Sequence, residues 1–569
     1  PMGSRLMRNW LILPLLDIDE IRLRQDTVEY LMTDITLYDA LKEDIRLVGD
    51  LERLISKIAL RRVNPRELLH LSSAMKSVAH IKQKCSEVDC KPIQKLAEQL
   101  FLCENFVSLI DQHIAEDAPV VLSKGGVLKM GLDAELDEYI SLSNNAKDFL
   151  LDLKNREAEK SGISSLKLAF NNVFGYYLEV TNSHKDKVPE EWIRKQTLVN
   201  AERYITPELK VFEEKILAAD DKIGEIEGRI YAELIEKLNV YITNVQQNAR
   251  VIAKLDCLCS FAFISQNYDY SKPEISDDYS LAIKDGRHPV IEQQLARGEV
   301  YIPNDIYLNK EEQQIIILTG PNMSGKSAIL RQTALTVLLA QIGCFVPAKH
   351  AHIGLVDKIY TRVGASDNIS QGESTFMVEM VETASILNNL SDRSLVILDE
   401  IGRGTSTFDG VSLAWSIAEF LNQDDTKPKT IFATHYHELN ELESSFPGVV
   451  NYYVSTEEKQ KKVIFLRKMK KGGSEHSFGI HVARMAGIPS KVLKRADIIL
   501  KQLESDRESI STKESIKKAK DTNYQLNLFQ VTDPKSAEII QTLDHINIES
   551  LTPIEALMKL NELKQLLEN

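Results

Sequence analysis

The chain has 569 residues and a formal net charge of −14, with an isoelectric point near 5.5. This acidic balance argues against a protein that coats nucleic acid through a globally basic surface, so any contact with DNA would come from a local patch. Its six cysteines form no CxxC pair, no apolar run reaches the ~18 residues that span a bilayer, and the start lacks a signal-peptide layout, so we expect a soluble, intracellular protein with reduced cysteines and no membrane partner.

The first half of the chain is predicted to be helical with one β-rich interruption. Over residues 1–160, Gly and Pro are sparse and Leu and Ile recur at helical spacing. Residues 161–206 change character, because β-branched and aromatic residues flank Asn171-Asn172 and Gly175, a pattern typical of a small hairpin. The helical pattern returns over 207–270. The sequence therefore predicts a small β module inserted into a long helical region.

Residues 271–503 alternate short apolar runs with helical segments, a pattern typical of a layered α/β sheet. Three of the runs are predicted to be buried parallel strands: Ile315–Leu318, Leu395–Leu398 and Thr430–Ala433. The helices between them are predicted over residues 326–341, 376–390 and 411–422. Residues 504–530 are polar and charged, which predicts a linker. Residues 531–569 contain the capping-box pattern TPIE and then an apolar stripe, which predicts a short helical tail.

One short segment matches the phosphate-binding pattern GxxxxGK[ST] and lies between a predicted strand and a predicted helix. Its backbone N–H groups and the helix N-terminus would cradle phosphate oxygens. Lys326 would add a full charge at the β- and γ-phosphates, and the Ser327 hydroxyl would ligate Mg²⁺. A chance glycine turn is a poor alternative, because both flanking elements are of the required type. The nucleotide-binding residues are Gly320, Pro321, Asn322, Met323, Ser324, Gly325, Lys326 and Ser327.

Further polar residues follow two other predicted strands. Asp399 and Glu400 come directly after an apolar strand, at the carboxyl edge where α/β sheets bind ligands. Asp399 suits the Mg²⁺ shell and Glu400 suits polarising an attacking water, although the pair taken alone also fits a capping turn. His435 could sense the γ-phosphate, with a buried hydrogen-bonded histidine as the alternative. These residues predict ATP hydrolysis with Mg²⁺ as cofactor and Lys326, Glu400 and His435 as catalytic residues.

The same segments closely resemble the MutS family of DNA mismatch-repair ATPases. Segments similar to its four consecutive ATPase motifs occur in order as GPNMSGKS, ASDNISQGESTFMVEM, LVILDEIGRGTSTFDGVSLAWS and ATHYHEL. The opening and closing segments of the family's ATPase domain resemble GRHPVIE and HSFGIHVARMAGIP. The start of its lever resembles GSRLMRNWLILPLLDIDEIRLRQDTVEYL, and its DNA-clamp insertion resembles FNNVFGYYLEVTNSHKDKVPEEWIRKQTLVNAERYITPEL. The resemblance covers nearly the whole chain.

This resemblance implies a multidomain fold: a long α-helical lever with a small β-rich clamp insertion, an α/β P-loop ATPase domain of the ABC type, and a short helical C-terminal tail. The implied domains are the lever (1–160 and 207–270), the DNA clamp (161–206), the ATPase domain (271–503), the linker (504–530) and a helical dimerisation element (531–569).

The resemblance also implies a dimeric DNA clamp driven by ATP binding and hydrolysis, acting in the bacterial cytoplasm at the nucleoid. Double-stranded DNA and a downstream mismatch-repair protein are the implied partners. The ATP sites would be composite across a homodimer, so that Ser374 acts at the partner's nucleotide, although a helix N-cap is another role for it. Phosphate contacts to DNA would come from the clamp insertion, where neighbouring acids also fit a solvated charged face. The candidate DNA-binding residues are Lys185, Lys187, Arg194, Lys195 and Arg203.

Two further features bear on partners. The string Phe212-Glu213-Glu214 matches the Phe-x-Glu wedge of the family's mismatch reader, but it lies in a helical stretch, so we expect no reader there. The sequence starts inside the lever-like region, which favours a fragment without the reader and connector domains. In the tail, QLNLF resembles the peptide that binds the replication sliding clamp, with Gln525, Leu526, Leu528 and Phe529 as contacts; a casual apolar stretch is the alternative.

Three functions remain open from the sequence. The first is a MutS-like mismatch-repair ATPase, and the second is a relative that acts on branched or recombining DNA. The third is a scaffold with an inactive nucleotide site, which is disfavoured because the candidate catalytic residues are all present.

Overall fold

The computed structural model describes residues 2–171, 175–364, 375–459, 462–473 and 479–509. The chain divides into two compact units, Pro1–Gly479 and Ile480–Asn569. No helix in the described ranges is long and apolar enough to cross a membrane. All six cysteines fall in these ranges and are unpaired, with Cys103 half-buried and the others buried, so they are packing residues as expected.

Helices dominate residues 2–161, and Asp and Asn side chains start several of them. Asp34 and Asp50 accept hydrogen bonds from backbone N–H groups in the first turns that follow them. Asn64 and Glu67 form a reciprocal capping box. The helices are α1 (Met2–Ile12), α2 (Ile18–Thr33), α3 (Ile35–Val48), α4 (Leu51–Ala59), α5 (Pro65–Ser86), α6 (Lys91–Glu98), α7 (Glu104–His113) and α8 (Ala134–Ser161).

Two long helices, α9 (Pro207–Asn239) and α10 (Ile242–Asn267), follow the β module and complete this helical region. Helix α10 packs against α1, α2 and α4, and its buried residues join theirs in one apolar core. Burying side chains such as Ile55 and Leu255 stabilises this core by roughly 1.5–3 kcal/mol each. Phe212 lies in α9 with its ring stacked on Phe149 at 3.8 Å between centroids, so the Phe-x-Glu string is helix packing, as expected.

The β module between α8 and α9 is an antiparallel sheet. Its strands are β1 (Lys167–Asn171), β2 (Gly175–Thr181), β3 (Ile193–Thr197) and β4 (Ala201–Ile205), in the order β1-β2-β4-β3. Asn171 pairs with Gly175, which confirms the predicted hairpin. Leu178, Val180 and Trp192 form the module's core together with residues of α8 and α9.

The α/β region contains two sheets. In the larger one the strand order is β10-β11-β12-β8-β13-β14, parallel except for the edge strand β14. Its strands are β8 (Ile315–Thr319), β10 (Ile359–Arg362), β11 (Leu395–Asp399), β12 (Lys429–Ala433), β13 (Val449–Lys459) and β14 (Lys462–Lys471). The three predicted strands, now β8, β11 and β12, are confirmed as adjacent parallel strands. The second sheet has the order β5-β9-β6-β7, with β5 (Glu274–Ser276), β6 (Leu281–Gly286), β7 (Asn304–Leu308) and β9 (His350–Gly354).

The helices of this region are α11 (Ile291–Gln294), α12 (Lys326–Gln341), α13 (Thr375–Leu387), α14 (Thr407–Gln423) and α15 (Leu442–Ser445). Helix α12 has the predicted bounds. Helix α14 begins earlier than the predicted residue 411, because the Ser406 side chain accepts a hydrogen bond from the Asp409 N–H and caps the helix there. Helix α13 ends earlier than the predicted residue 390, at Leu387.

The second unit is described only from Ile480 to Ser509. Helix α16 (Gly479–Met485) runs across the division between the units, and α17 (Ser490–Ser509) follows after Gly487, whose φ is +86°. Helix α17 therefore continues past residue 504, where the sequence predicted a linker. The rest of the predicted linker and the predicted helical tail lie outside the described residues.

Candidate active site

The phosphate-binding pattern lies between β8 and α12, as predicted. Gly320 and Gly325 have φ values of +142° and +103°, which side-chain-bearing residues rarely adopt, so the pattern's glycines are required by backbone conformation. A Cβ on Gly320 would also lie 3.4 Å from the backbone nitrogen of Val454. Met323 adopts φ +68° and its side chain is exposed, and Ser324 is buried. The loop therefore presents backbone N–H groups at a helix N-terminus, the arrangement that binds phosphate.

Lys326 is buried at the base of this loop. Its Nζ donates to the carbonyl oxygens of Gly320, at 2.7 Å, and Pro321, at 3.4 Å. The same Nζ lies 3.8 Å from Oε1 of Glu400. Burial lowers the pKa of Lys326, and the negative charges of Glu400 and Asp399 oppose this shift. The lysine thus brings a positive charge to the loop where phosphates would bind.

Asp399 ends β11 and faces the same cleft as Ser327. Burial raises the pKa of Asp399 and Glu400 adds to the rise, whereas the Ser327 hydroxyl and Lys326 oppose it. Its Oδ1 atom is buried and has no hydrogen-bond partner among the described residues. A carboxylate oxygen and a hydroxyl at one place are ligands that Mg²⁺ prefers, so these residues fit the ion.

Glu400 follows with φ +55°, a left-handed conformation, and its N–H donates to the Ala433 carbonyl oxygen at 2.9 Å. Its carboxylate forms an ion pair with Arg403 as well as approaching Lys326. His435 lies just after the end of β12, the strand that neighbours β11 in the sheet. Loss of solvent around the ring lowers the pKa of His435, Glu400 opposes the shift, and Arg403 adds to it, so the surroundings favour the neutral imidazole.

Side chains that the sequence reading missed line the rest of this cleft, which has a volume of about 370 Å³. Arg331 lies one turn of α12 after Ser327, a spacing that placed it on the same helix face. Arg362, Glu379 and Arg403 also line the cleft. Arg403 has a sequence signal, since it follows Glu400 in a polar loop, whereas Arg362 and Glu379 depend on contacts between distant parts of the chain.

The candidate DNA-binding residues differ in whether their side chains are occupied within the β module or exposed. Arg203 is used within the β module: its guanidinium lies 3.3 Å from the Glu179 carboxylate, donates to Gln196 at 2.8 Å, and sits 4.3 Å over the Tyr177 ring. Arg194 pairs with Glu202 at 3.5 Å but stays largely exposed. The lysines of the set are exposed: Lys185, Lys187 and Lys195.

Several predicted residues lie outside the described residues. They are Ser374 and the sliding-clamp peptide residues Gln525, Leu526, Leu528 and Phe529. Helix α13 begins at Thr375, immediately after Ser374.

Two family descriptions and several named proteins match the sequence of this chain. Residues 1–262 match the family description "MutS domain III", and residues 316–504 match "MutS domain V". Proteins named "DNA mismatch repair protein MutS" match over the whole chain: that of Christiangramia forsetii is 55% identical, that of Bacteroides thetaiotaomicron 55%, and that of Flavobacterium johnsoniae 54%. The chain spans 65%, 66% and 65% of these relatives, just under two thirds of their length. With both domains matched and this identity along its full length, the chain belongs to the MutS family.

Proposed function

We propose that this chain is the ATP-hydrolysing and DNA-holding part of a mismatch-repair protein. The observation that carries the proposal is the convergence of Lys326, Ser327, Asp399 and Glu400 on one cleft beside a phosphate-binding loop. The names of its relatives favour mismatch repair over the alternative of a protein that acts on branched DNA.

Each cleft residue has a distinct part in the proposed hydrolysis. The N–H groups of the Gly320–Gly325 loop and the start of α12 bind the phosphates, and Lys326 exchanges its carbonyl partners for phosphate oxygens. Ser327 and Asp399 would hold Mg²⁺, which neutralises charge on the β- and γ-phosphate oxygens when bound. Glu400 accepts a hydrogen bond from the attacking water and orients it for in-line displacement.

The charges around Glu400 indicate how the site is restrained. In this structure its carboxylate is paired with Arg403 and close to Lys326, both cations. Bound phosphates compete for these cations, which frees the carboxylate to face a water molecule. Neutral His435 can then accept or donate a hydrogen bond near the γ-phosphate without adding another positive charge.

Mg²⁺-dependent phosphate release from ATP tests this proposal. We expect Lys326→Ala to weaken ATP binding by about 10–100-fold, because a buried charge is removed from the phosphates. Glu400→Gln should keep ATP affinity within about threefold and lower turnover by roughly 10²–10⁴, because only water activation is affected.

The matched control is Lys349→Ala, which removes an exposed lysine that does not line the cleft and should change neither quantity. Equal turnover in the wild type and Glu400→Gln would reject the role of Glu400. Equal ATP affinity in Lys326→Ala would reject the site itself.

The finer architecture is part of the same proposal. Residues 1–160 and 207–270 act as the lever, 161–206 as the DNA clamp, 271–503 as an ABC-type ATPase domain, 510–530, beyond α17, as a linker, and 531–569 as a dimerisation element. Exposed lysines of the β module support sequence-independent phosphate contacts with double-stranded DNA.

The remaining partners of the proposed machine follow from the family. They are a second copy of the chain, whose nucleotide Ser374 would reach, the replication sliding clamp at Gln525–Phe529, and a downstream repair protein. The proposed location is the bacterial cytoplasm, at the nucleoid.

A further inference from the structure

Helix α13 contacts the loop after Glu400 at two points. The Gly402 N–H donates a 2.6 Å hydrogen bond to Oε1 of Glu379. Nearby, a Cβ on Gly404 would lie only 3.0 Å from Cβ of Phe376, so this loop runs directly over the first turns of the helix. The backbone that carries Glu400 is thereby connected to α13 through one buried carboxylate and one close packing contact.

The Glu379 carboxylate is itself held in place. The residue is buried, and its Oε2 lies 3.5 Å from Nη2 of Arg362, which is also buried. Arg362 is in turn paired with Glu382 at 3.0 Å, from the more exposed side. A buried carboxylate with an opposite charge and a charge-assisted backbone hydrogen bond has few alternative positions, because leaving either partner unpaired is costly.

The carbonyl oxygen of Gly402 is held in place as well as its N–H group. The Tyr436 hydroxyl donates to the Gly402 carbonyl oxygen at 2.9 Å. A Cβ on Gly402 would lie 2.6 Å from the Gly410 carbonyl oxygen, so the backbone is pressed against α14. Both polar groups of this residue thus have a side-chain partner from another element.

Glu400 needs such support because of its own backbone. Its φ of +55° is a left-handed conformation, which is sterically unfavourable for a residue with a side chain. The hydrogen bond from the Glu400 N–H to the Ala433 carbonyl oxygen fixes the backbone on the N-terminal side of this residue. The direction of the Glu400 side chain also depends on the residues that follow. Without a constraint on Gly402, the backbone could relax to a right-handed conformation and turn the carboxylate out of the cleft.

We propose that Glu379 is a positioning residue for ATP hydrolysis: by accepting the Gly402 N–H, it fixes the backbone beyond Glu400 and keeps that carboxylate in the cleft. The inference rests on the proposed function for the part played by Glu400. It also means that a movement of α13, which starts at Thr375, is transmitted directly to the water-activating residue of the same chain.

The test compares Glu379→Ala with Glu379→Gln and with Glu312→Ala, which removes an exposed glutamate that does not line the cleft. Glu379→Ala should lower the turnover of bound ATP by at least about tenfold and leave ATP affinity within about threefold, since a small misplacement of a catalytic group affects the chemical step. Glu379→Gln retains an oxygen that can accept the Gly402 N–H, so it should recover most of the lost turnover. Glu312→Ala should behave like the wild type.

Two further measurements separate positioning from general structure. Hydrogen exchange of the Gly402 amide should accelerate in Glu379→Ala and stay slow in Glu379→Gln and Glu312→Ala. In a Glu400→Gln background, Glu379→Ala should cause no additional loss of turnover, because it acts through Glu400.

The outcomes distinguish this inference from the proposed function. If the wild type hydrolyses ATP and Glu379→Ala does so equally well, or if Glu379→Gln is as impaired as Glu379→Ala, the positioning role is wrong. If the wild type does not hydrolyse ATP, the proposed function fails. In that case the hydrogen-exchange rate of the Gly402 amide still tests the inference, because an unchanged rate in Glu379→Ala would show that Glu379 does not fix this backbone.

Discussion

Lys429 is a buried lysine at the start of β12, and its Nζ has no hydrogen-bond partner among the described residues. Burial lowers the pKa of Lys429 from 10.5 to about 8, the neighbouring cations Lys310 and Arg393 lower it further, and Asp357 and Asp278 oppose the shift. Because the folded state holds this proton less tightly than the unfolded state, the unfolding free energy should rise with pH between about 8 and 10.5. Below pH 8 both states are protonated and the destabilisation is complete.

We therefore expect Lys429→Met to stabilise the protein at pH 7 by up to about 3 kcal/mol, since each unit of pKa shift corresponds to about 1.4 kcal/mol. The advantage over the wild type should shrink as the pH rises above 8. Denaturant unfolding at several pH values measures both effects, with Lys349→Met as an exposed lysine control. A constant difference at all pH values would show that packing, and not the charge, determines the effect.

Residues of the site differ in how far the sequence could predict them. Lys326 was predicted because it belongs to a local loop pattern between a strand and a helix, and Asp399 and Glu400 because they stand at the end of an apolar strand. Glu379 was not, because its role depends on the approach of α13 to a loop that follows β11. Likewise, the burial of Lys429 could not be predicted from the local sequence. A lysine at the first position of a strand is ordinarily exposed, even where the strand's other residues are apolar or β-branched.

At the scale of elements, the close approach of α14 to the Glu400 loop can be tested through Gly410. A Cβ at this position would lie 2.2 Å from the Tyr436 hydroxyl oxygen and 2.4 Å from the Gly402 carbonyl oxygen. Gly410→Ala should therefore push two fixed groups apart and destabilise the protein by about 1–3 kcal/mol. ATP turnover should fall as well, because Gly402 is displaced.

The control is Gly224→Ala in α9, where a Cβ would meet nothing within 4 Å. It should stabilise by about 0.5–1 kcal/mol, because alanine favours a helix interior over glycine. Thermal unfolding of the two variants gives the comparison. Equal stability changes would mean that α14 does not need a glycine for packing.

Within the β module, two basic residues should respond differently to substitution. Arg203→Ala removes a guanidinium that contacts Glu179, Gln196 and Tyr177, so it should lower thermal stability. Lys195→Ala removes an exposed charge and should leave stability unchanged while weakening DNA binding and lowering its salt dependence by about one counterion. A stability loss in Lys195→Ala, or its absence in Arg203→Ala, would contradict this division.

Element types were predictable where one physical signal dominates. Strands β8, β11 and β12 are buried, so nearly continuous apolar runs marked them. Boundaries were less predictable, because the start of α14 is set by the Ser406 cap and not by hydrophobic periodicity. The strand order was not predictable either, since β13 joins β8 from a distant part of the chain and β14 adds an antiparallel edge.

For the whole molecule, a net charge of −14 means that DNA binding must rely on a local surface. In the proposed function, the exposed lysines of the β module would meet this need through phosphate contacts, which carry no base information. The aromatic string that could act as a wedge is unavailable, because the Phe212 ring is stacked on Phe149 between α9 and α8. We therefore expect this chain to bind perfect and mismatched duplexes with nearly equal affinity.

Competition binding with a perfect duplex and a G·T-containing duplex, at one stated salt concentration, measures the ratio directly. A ratio near one, with affinity that falls steeply as salt rises, agrees with phosphate contacts alone. A preference beyond about tenfold, or about 1.4 kcal/mol, would require a side chain of this chain to sense the kinked base step. Phe212→Leu then decides whether that ring is involved, since leucine keeps an apolar side chain against Phe149 but cannot stack on a base.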